Sequence, residues 1–141
     1  MVNDQLRMTG ALTVTKNGQV VRQTNNLVVT AGKTLVAARL VGAGADITHM
    51  SVGTSADAAT DGQTSLVAEI SRNALVGAGV AATNTVEYSA SWGAGEGTGA
   101  LTEAGLFTAA AGGTMLARTV FPVVNKGAAD AISITWTITI S

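Results

Sequence analysis

The chain has 141 residues, of which 47% are hydrophobic and only 12% are charged, and its net charge is -1. The length predicts a single domain over 1–141, and the scattered charges exclude the basic stripe that a nucleic-acid partner requires. There is no cysteine for disulfides or thiolate metal sites, and neither a signal peptide nor an apolar run of membrane-spanning length, so we expect no membrane partner.

The amino-terminal quarter of the sequence predicts a β-hairpin. Apolar and polar residues alternate over 6–15, which is the period of a half-buried strand. Asn17-Gly18 then favours a type I′ turn, because both central residues of that turn have positive φ. A returning strand is predicted over 19–24, and a short strand over 27–29 follows it.

The only helix is predicted over 31–41, where apolar residues recur at helical spacing. Thr30 is the predicted N-cap, since its hydroxyl could accept a bond from an unpaired backbone N–H. Gly42 and Gly44 are predicted to end the helix.

The rest of the chain predicts strands separated by short, glycine-rich connections. A polar loop is predicted over 54–64 and one helical turn over 65–70. Pro122 has no N–H to donate, so its strand is predicted to be an edge strand or to end there. The predicted strands cover 47–53, 72–79, 85–92, 99–108, 114–124 and 131–140.

The last of these strands gives the clearest signal. Four isoleucines and Trp136 alternate without a break with Ser133 and three threonines, so one face is apolar and the other carries hydroxyls. We predict an all-β fold, an antiparallel jelly-roll-like β-sandwich of about eight strands with one short helix. An immunoglobulin-like or irregular sandwich is the alternative, and the strand order stays open.

Three sequence patterns resemble catalytic or binding motifs, but each is incomplete. Residues 31–34 read AGKT, yet Leu27 stands where a phosphate-binding loop requires glycine. Asp57 and Asp61 match two positions of a calcium loop whose other carboxylate positions are alanines. His49 is the only histidine. We therefore predict no catalytic residue, no cofactor and no metal site, and we expect no enzymatic activity.

Glu103 and Arg118 lie inside neighbouring predicted strands. Opposite charges at such positions predict a cross-strand ion pair. Arg72 is the alternative partner for Glu103.

Two long stretches of the sequence resemble small virion structural proteins of tailed bacteriophages. They read MSVGTSADAATDGQTSLVAEISRNAL from Met50, and VEYSASWGAGEGTGALTEAGLFTAAAGGTMLARTVFPVVNKGAADAISITWTITIS from Val86. Within that group the chain is similar to the jelly-roll cement, or decoration, type that coats the capsid exterior of a short-tailed Bordetella phage. The resemblance implies a protein made in the host cytoplasm that binds the outside of the head.

The same resemblance implies the partners. They are the major capsid protein, neighbouring copies of which would be bridged, and a second copy of the chain in a homodimer. The alternative is a receptor- or carbohydrate-binding module of a tail fibre or baseplate, which would predict a trimer.

The contact residues of such a protein are predicted in four places, namely the polar start of the chain, two glycine-containing loops and a tryptophan beside a glycine. These residues are Met1, Val2, Asn3, Asp4, Gln5, Gly42, Ala43, Gly44, Ala45, Trp92, Gly95 and Glu96. Trp136 is predicted to lie in the core instead.

Overall fold

The computed structural model describes residues 5–141, which form ten strands and one α-helix. Eight strands have at least five residues, and two have only two. The elements are β1 (Met8–Lys16), β2 (Gln19–Asn25), β3 (Leu27–Val28), α1 (Thr30–Arg39), β4 (His49–Gly53), β5 (Glu69–Ala74), β6 (Val80–Ala81), β7 (Thr85–Trp92), β8 (Gly99–Phe107), β9 (Met115–Lys126) and β10 (Ile132–Ile140).

The strands form two antiparallel sheets of five strands each, which confirms the predicted all-β sandwich. The first sheet has the order β2-β1-β10-β7-β6, and the second has the order β3-β9-β8-β4-β5. Four pairings join consecutive strands as hairpins, whereas β10 pairs with β1 and β7 from distant parts of the chain. At the β1–β2 turn, Asn17 and Gly18 both have positive φ, as the predicted turn requires.

The core lies between the two sheets and follows the alternation of the sequence. In β10 the apolar face points inward, and Ile134 and Trp136 are fully buried. Trp136 donates its indole N–H to Asn26 Oδ1 at 2.8 Å, so its one polar group is satisfied. The prediction that Trp136 is a core residue is confirmed.

A third layer covers part of the outer face of the second sheet. It is the segment 54–68, here called the strap, and it contains no helix or strand. Leu66 from the strap packs with Phe107 and Met115 in a second, smaller apolar cluster. Thr30 N–H donates to Asp61 O of the strap at 2.9 Å, which ties the start of α1 to the same layer.

Two local predictions are corrected by the structure. Residues 65–70 form no helical turn but bends followed by the first two residues of β5, and Glu103 accepts from the N–H groups of Val67 and Ala68. Thr30 is the first helical residue and not the N-cap; the N-cap is Val29, which makes no side-chain cap hydrogen bond, and Thr30 N itself donates to Asp61 O of the strap.

The sequence predicts that the strand of Pro122 is an edge strand or ends there. The edge position is confirmed, since β3 pairs only with Ala117 and Arg118 and leaves β9 without a neighbour on that side at Pro122, whereas β9 continues to Lys126 and does not end there. The β8–β9 register shifts there, so that residues 121–123 of β9 oppose Thr102 alone. A bulge of this kind leaves residues unpaired, which accommodates the missing N–H of proline.

Hydrogen bonds between the sheets close both open sides of the sandwich. On one side Arg22 of β2 donates to Pro122 O at 2.9 Å and to Val123 O at 2.7 Å. On the other side Asn73 Nδ2 donates to Ser91 O, and Val76 N donates to Ser89 O, each at 2.8 Å. Carbonyls that would otherwise offer an open strand edge are thus already bonded.

Candidate functional site

An apolar groove lies at one end of the sandwich, between α1, the start of β1 and β3. We call this the helix end; it also contains the segment 40–48 that follows the helix. The groove has a volume of about 410 Å³. It is lined by Leu6, Met8, Thr9, Asn26, Leu27, Val28, Lys33, Val36, Ala37 and Leu40.

The helix contributes one wall because of the spacing of its side chains. Lys33, Val36, Ala37 and Leu40 lie three, four and seven residues apart, so they share one face of α1. A second apolar stripe, which includes Leu35, packs on the main core. The helix therefore presents apolar residues to the core and to the groove at once.

The groove continues into an exposed apolar surface. Leu6 is 74% exposed, and Leu40 and Val41 are each 83% exposed. Leu6 and Leu40 line the groove from opposite walls, so the exposed side chains and the groove form one surface. Neighbouring exposed residues of this size are typical of sites that bind another protein or a ligand.

Two polar groups of the groove have an unused hydrogen-bonding capacity. Asn26 Nδ2 is buried and has no partner among the described residues. Its orientation is fixed, because an indole N–H can only donate and the atom that faces Trp136 must therefore be Oδ1. Lys33 is exposed and makes no ion pair with any residue from 5 to 141.

Two of the predicted contact elements lie at the helix end. Gln5 is exposed and precedes Leu6 of the groove wall, whereas Met1, Val2, Asn3 and Asp4 lie outside the described residues. Gly42, Ala43, Gly44 and Ala45 are all exposed. Gly42 and Gly44 have positive φ and end the helix as predicted, although α1 ends at Arg39, two residues earlier than expected.

The third predicted element, around Gly95 and Glu96, lies at the opposite end of the first sheet. The pairing of Ile132 with both Lys16 and Trp92 places it there, and we call this the turn end. Both residues are exposed, but the loop is anchored: Gly95 N donates to Ala128 O, and Glu96 accepts from Gly93 N. Buried Lys126 adds a bond to Gly93 O at 2.8 Å.

The prediction that Trp92 contacts a partner is wrong for the folded chain. Its side chain is fully buried in the core, and its indole N–H donates to Ser71 Oγ at 3.1 Å. The neighbouring glycine suggested a strand end open to solvent, but Gly97 folds back over the ring. Both tryptophans of the chain are therefore core residues.

The predicted pairing of Glu103 with Arg118 is present, and both side chains are fully buried. Arg118 Nη2 lies 2.7 Å from Glu103 Oε2, and Nε donates to the same oxygen at 3.0 Å. The alternative partner, Arg72, instead pairs with Glu69 and lies 3.7 Å from the centre of the Phe107 ring.

The buried ion pair fastens the strap to the second sheet. Glu103 accepts backbone N–H groups from Val67 and Ala68, and Arg118 Nη1 donates to Asp57 O at 2.8 Å. Gly53 gives the carboxylate room, because a Cβ there would overlap Glu103 Oε1. With its partners all inside the protein, the pair is structural.

Two groups have pKa values displaced from their ordinary range. Burial raises the pKa of Tyr88, and the negative charge of Asp46 raises it further. Hydrogen bonds from Asn17 and from Gly127 N lower the pKa of the Asp130 carboxyl, and nearby Lys16 contributes to the same effect. Asp130 joins the β1–β2 turn to the start of β10, so its shift also reflects structure.

The outer face of the first sheet carries the hydroxyl row of β10. Ser133, Thr135, Thr137 and Thr139 are half-buried, and strand register places further hydroxyls beside them. Thr135, for example, lies between Thr13 and Ser89. This face is polar and almost uncharged, with Glu87 as the charged residue among the paired positions of β1, β10 and β7.

Over residues 5–141, no group of three or more His, Cys, Asp or Glu side chains is placed to hold a metal ion. None of the described helices is long and apolar enough to cross a membrane.

Sequence reasoning missed the groove although its signal was present. Leu35, Val36 and Leu40 recur at helical spacing in the sequence, but Leu40 is exposed and only Leu35 and Val36 of the three pack against the core. A helix with more apolar residues than one core-facing stripe needs is the pattern that could have indicated a second surface.

Comparisons with protein-family models, with curated proteins and with solved structures find no match to this chain.

Proposed function

We propose that this protein is a capsid cement, or decoration, protein of a tailed bacteriophage. It binds the outside of the phage head and bridges neighbouring major capsid proteins. The sequence resemblance supplies this proposal. The observation that supports it most is the exposed apolar groove at the helix end of a chain in which only 12% of residues are charged.

Physical chemistry links such a surface to this role. A cement protein stabilises the shell because it binds the assembled state and not the separated subunits. Such binding requires apolar anchors that become buried at the centre of the contact. Leu6 and Leu40 can serve as anchors, since both are exposed and lie next to a groove.

The sealed sides of the sandwich favour side-chain contacts over added strands. Extension of a sheet into a partner requires unpaired backbone groups along an edge. Arg22 already bonds two edge carbonyls of β9, and Asn73 bonds one of β7. We therefore place the contact with the major capsid protein at the helix end.

The experiment measures binding of the purified protein to phage capsids that lack it, by co-sedimentation over a range of concentrations. Leu40→Asp is expected to weaken binding by about 30-fold or more, because a charge would replace an apolar anchor. Val20→Asp is the matched control, since Val20 is also exposed but lies beside the β1–β2 turn at the opposite end. We expect this variant to bind as the unchanged chain does.

Failure of the unchanged protein to bind capsids, combined with retention on host cells or glycans, would overturn the proposal in favour of a tail-fibre module. We also propose that the protein is a homodimer in solution. Sedimentation equilibrium measures the mass directly, and a trimer would contradict the proposed dimer.

A further inference from the structure

The dimensions of the groove match a short stretch of extended peptide. Its helical wall runs from Lys33 to Leu40, seven residues that rise by about 10 Å in an α-helix. An extended chain advances about 3.3 Å per residue, so about three residues fit along this wall. The groove volume of about 410 Å³ lies within the usual range for ligand sites.

The chemistry of the lining restricts which peptide fits. Most lining residues are apolar, which favours a large apolar side chain in the segment. Lys33 is an exposed ammonium with no acidic partner among residues 5–141.

Lys33 is the only charged side chain among the described residues that line the groove, and a carboxylate would complement it. The lining therefore favours a ligand with an apolar side chain and one negative charge.

We propose that the groove binds an extended three-residue segment of a partner protein in which a large apolar residue lies within two positions of Asp or Glu. The apolar side chain fills the groove, and the carboxylate pairs with Lys33. This proposal rests on the proposed function, of which it specifies the partner's chemistry.

The test titrates two blocked peptides into the isotopically labelled full chain and follows its methyl and amide NMR signals. The probes are acetyl-Leu-Ala-Glu-amide and acetyl-Leu-Ala-Lys-amide. We expect saturable shifts at Leu6, Leu27 and Leu40, with the Glu peptide binding about three- to tenfold more tightly than the Lys peptide. Absence of saturable shifts at these residues, or equal affinities, would overturn the proposal.

Charge reversal in the groove tests the role of Lys33. Lys33→Glu is expected to reverse the preference between the two peptides. Lys16→Glu changes the net charge equally but lies at the turn end, so the preference should remain. If the two variants behave alike, the groove does not recognise the carboxylate and the proposal fails.

A shortened chain without residues 1–4 distinguishes a partner from the chain's own start. We expect its affinity for the Glu peptide to stay within about twofold. A gain of about tenfold or more would mean that the removed residues compete for the groove, and would overturn the partner assignment.

Capsid binding is measured in parallel for every variant. If the protein binds capsids but neither peptide, the groove proposal fails and the proposed function stands. If it binds the Glu peptide but not capsids, the proposed function fails while the recognition chemistry is supported.

Discussion

The carboxylate of Glu103 holds three separate parts of the molecule together. It lies on β8, pairs with Arg118 of β9 and accepts three N–H groups of the strap, those of Ser55, Val67 and Ala68. Removing one partner of a buried ion pair leaves an uncompensated charge, which costs about 3–5 kcal/mol. Loss of either side chain alone therefore costs more free energy of unfolding than the intact pair contributes to the fold.

We expect Glu103→Gln and Arg118→Met each to lower the free energy of unfolding by about 3–5 kcal/mol in urea titrations. The double variant should lose clearly less than the sum, because neither charge is then left unpaired. Additive losses would show that the two side chains are not energetically coupled. Charge reversal at both sites should not restore stability, since a base at 103 cannot accept the N–H groups of the strap.

Asp130 gives the stability a dependence on acid pH. Its pKa is lower in the folded protein than the ordinary 3.8, because Asn17 and Gly127 N donate to the ionised form. A lowered folded-state pKa contributes stability that is present above the unfolded-state value and is lost as the pH falls through the folded-state value.

We therefore expect the melting temperature of Asp130→Asn to lie below that of the unchanged chain at pH 7, and the gap to close below about pH 3. Thermal unfolding followed by circular dichroism at both pH values measures this. Asp57→Asn is the control, because only backbone groups of Asp57 are used in bonds to Ser55 and Arg118. A gap that persists unchanged in acid would contradict the role of the carboxylate.

At the scale of elements, α1 packs unusually close to β9. Gly32 is the buried residue of the helix, and a Cβ at this position would overlap Leu116 O. The same carbonyl accepts from Val29 N, so it cannot move without loss of that bond. This close contact fixes how far α1 lies from β9, and hence the position of the groove wall that α1 contributes.

We expect Gly32→Ala to destabilise the protein by about 1–3 kcal/mol, although alanine favours an isolated helix by about 1 kcal/mol. The steric overlap outweighs the propensity gain because both backbones are fixed. Gly62→Ala is the control, since a Cβ there meets no atom within 4 Å, and it should change stability by less than about 0.5 kcal/mol. Equal effects in urea unfolding would contradict the close-packing argument.

The elements that alternation defines could be predicted from sequence, and those that tertiary contacts define could not. The strand period of β10 assigned its inward face correctly, and the Asn17-Gly18 pair located the first turn. The helical turn predicted over 65–70 is absent, because the buried carboxylate of Glu103, 35 residues from Ala68 in sequence, determines the conformation of this segment. Nothing local to that segment carries this information.

The candidate site was predicted only in part, because it too depends on tertiary contacts. Exposed glycines after the helix identified one element of the helix end, but the groove depends on which helix face meets the sheet. Trp92 was predicted to contact a partner but is buried. The loop that returns over its ring cannot be inferred from the strand before it. Strand order could not be predicted from the sequence either. Alternation of apolar and polar residues indicates which side chains of a strand face the core, but not which strands pair with each other.

At the scale of the whole molecule, Arg22 closes one open side of the sandwich. It donates from β2 of the first sheet to two carbonyls of β9 in the second sheet. These carbonyls belong to the bulge at residues 121–123, where β9 has lost its regular pairing. An arginine can bond both at once because its guanidinium N–H groups are held in a fixed fork.

We expect Arg22→Met to lower the free energy of unfolding by about 1–3 kcal/mol and to speed amide hydrogen exchange in β2 and in residues 119–124 of β9. Exposed edge groups should also increase self-association, which light scattering measures. Arg7→Met is the control, since Arg7 is exposed and, within residues 5–141, its side chain bonds only to Gln5. Uniform exchange rates in the two variants would mean that Arg22 does not hold the sheets together.

The position of β10 also determines when the sandwich can fold during synthesis. This strand pairs with β1 along nine residues and with β7 along eight, and it is the last of the ten described strands to leave the ribosome. Until Ile140 emerges, the first sheet lacks its central strand, and the β1–β2 and β6–β7 hairpins have nothing to join them. Contacts so distant in sequence form slowly. The nascent chain must therefore keep its apolar strands out of wrong pairings until β10 has emerged.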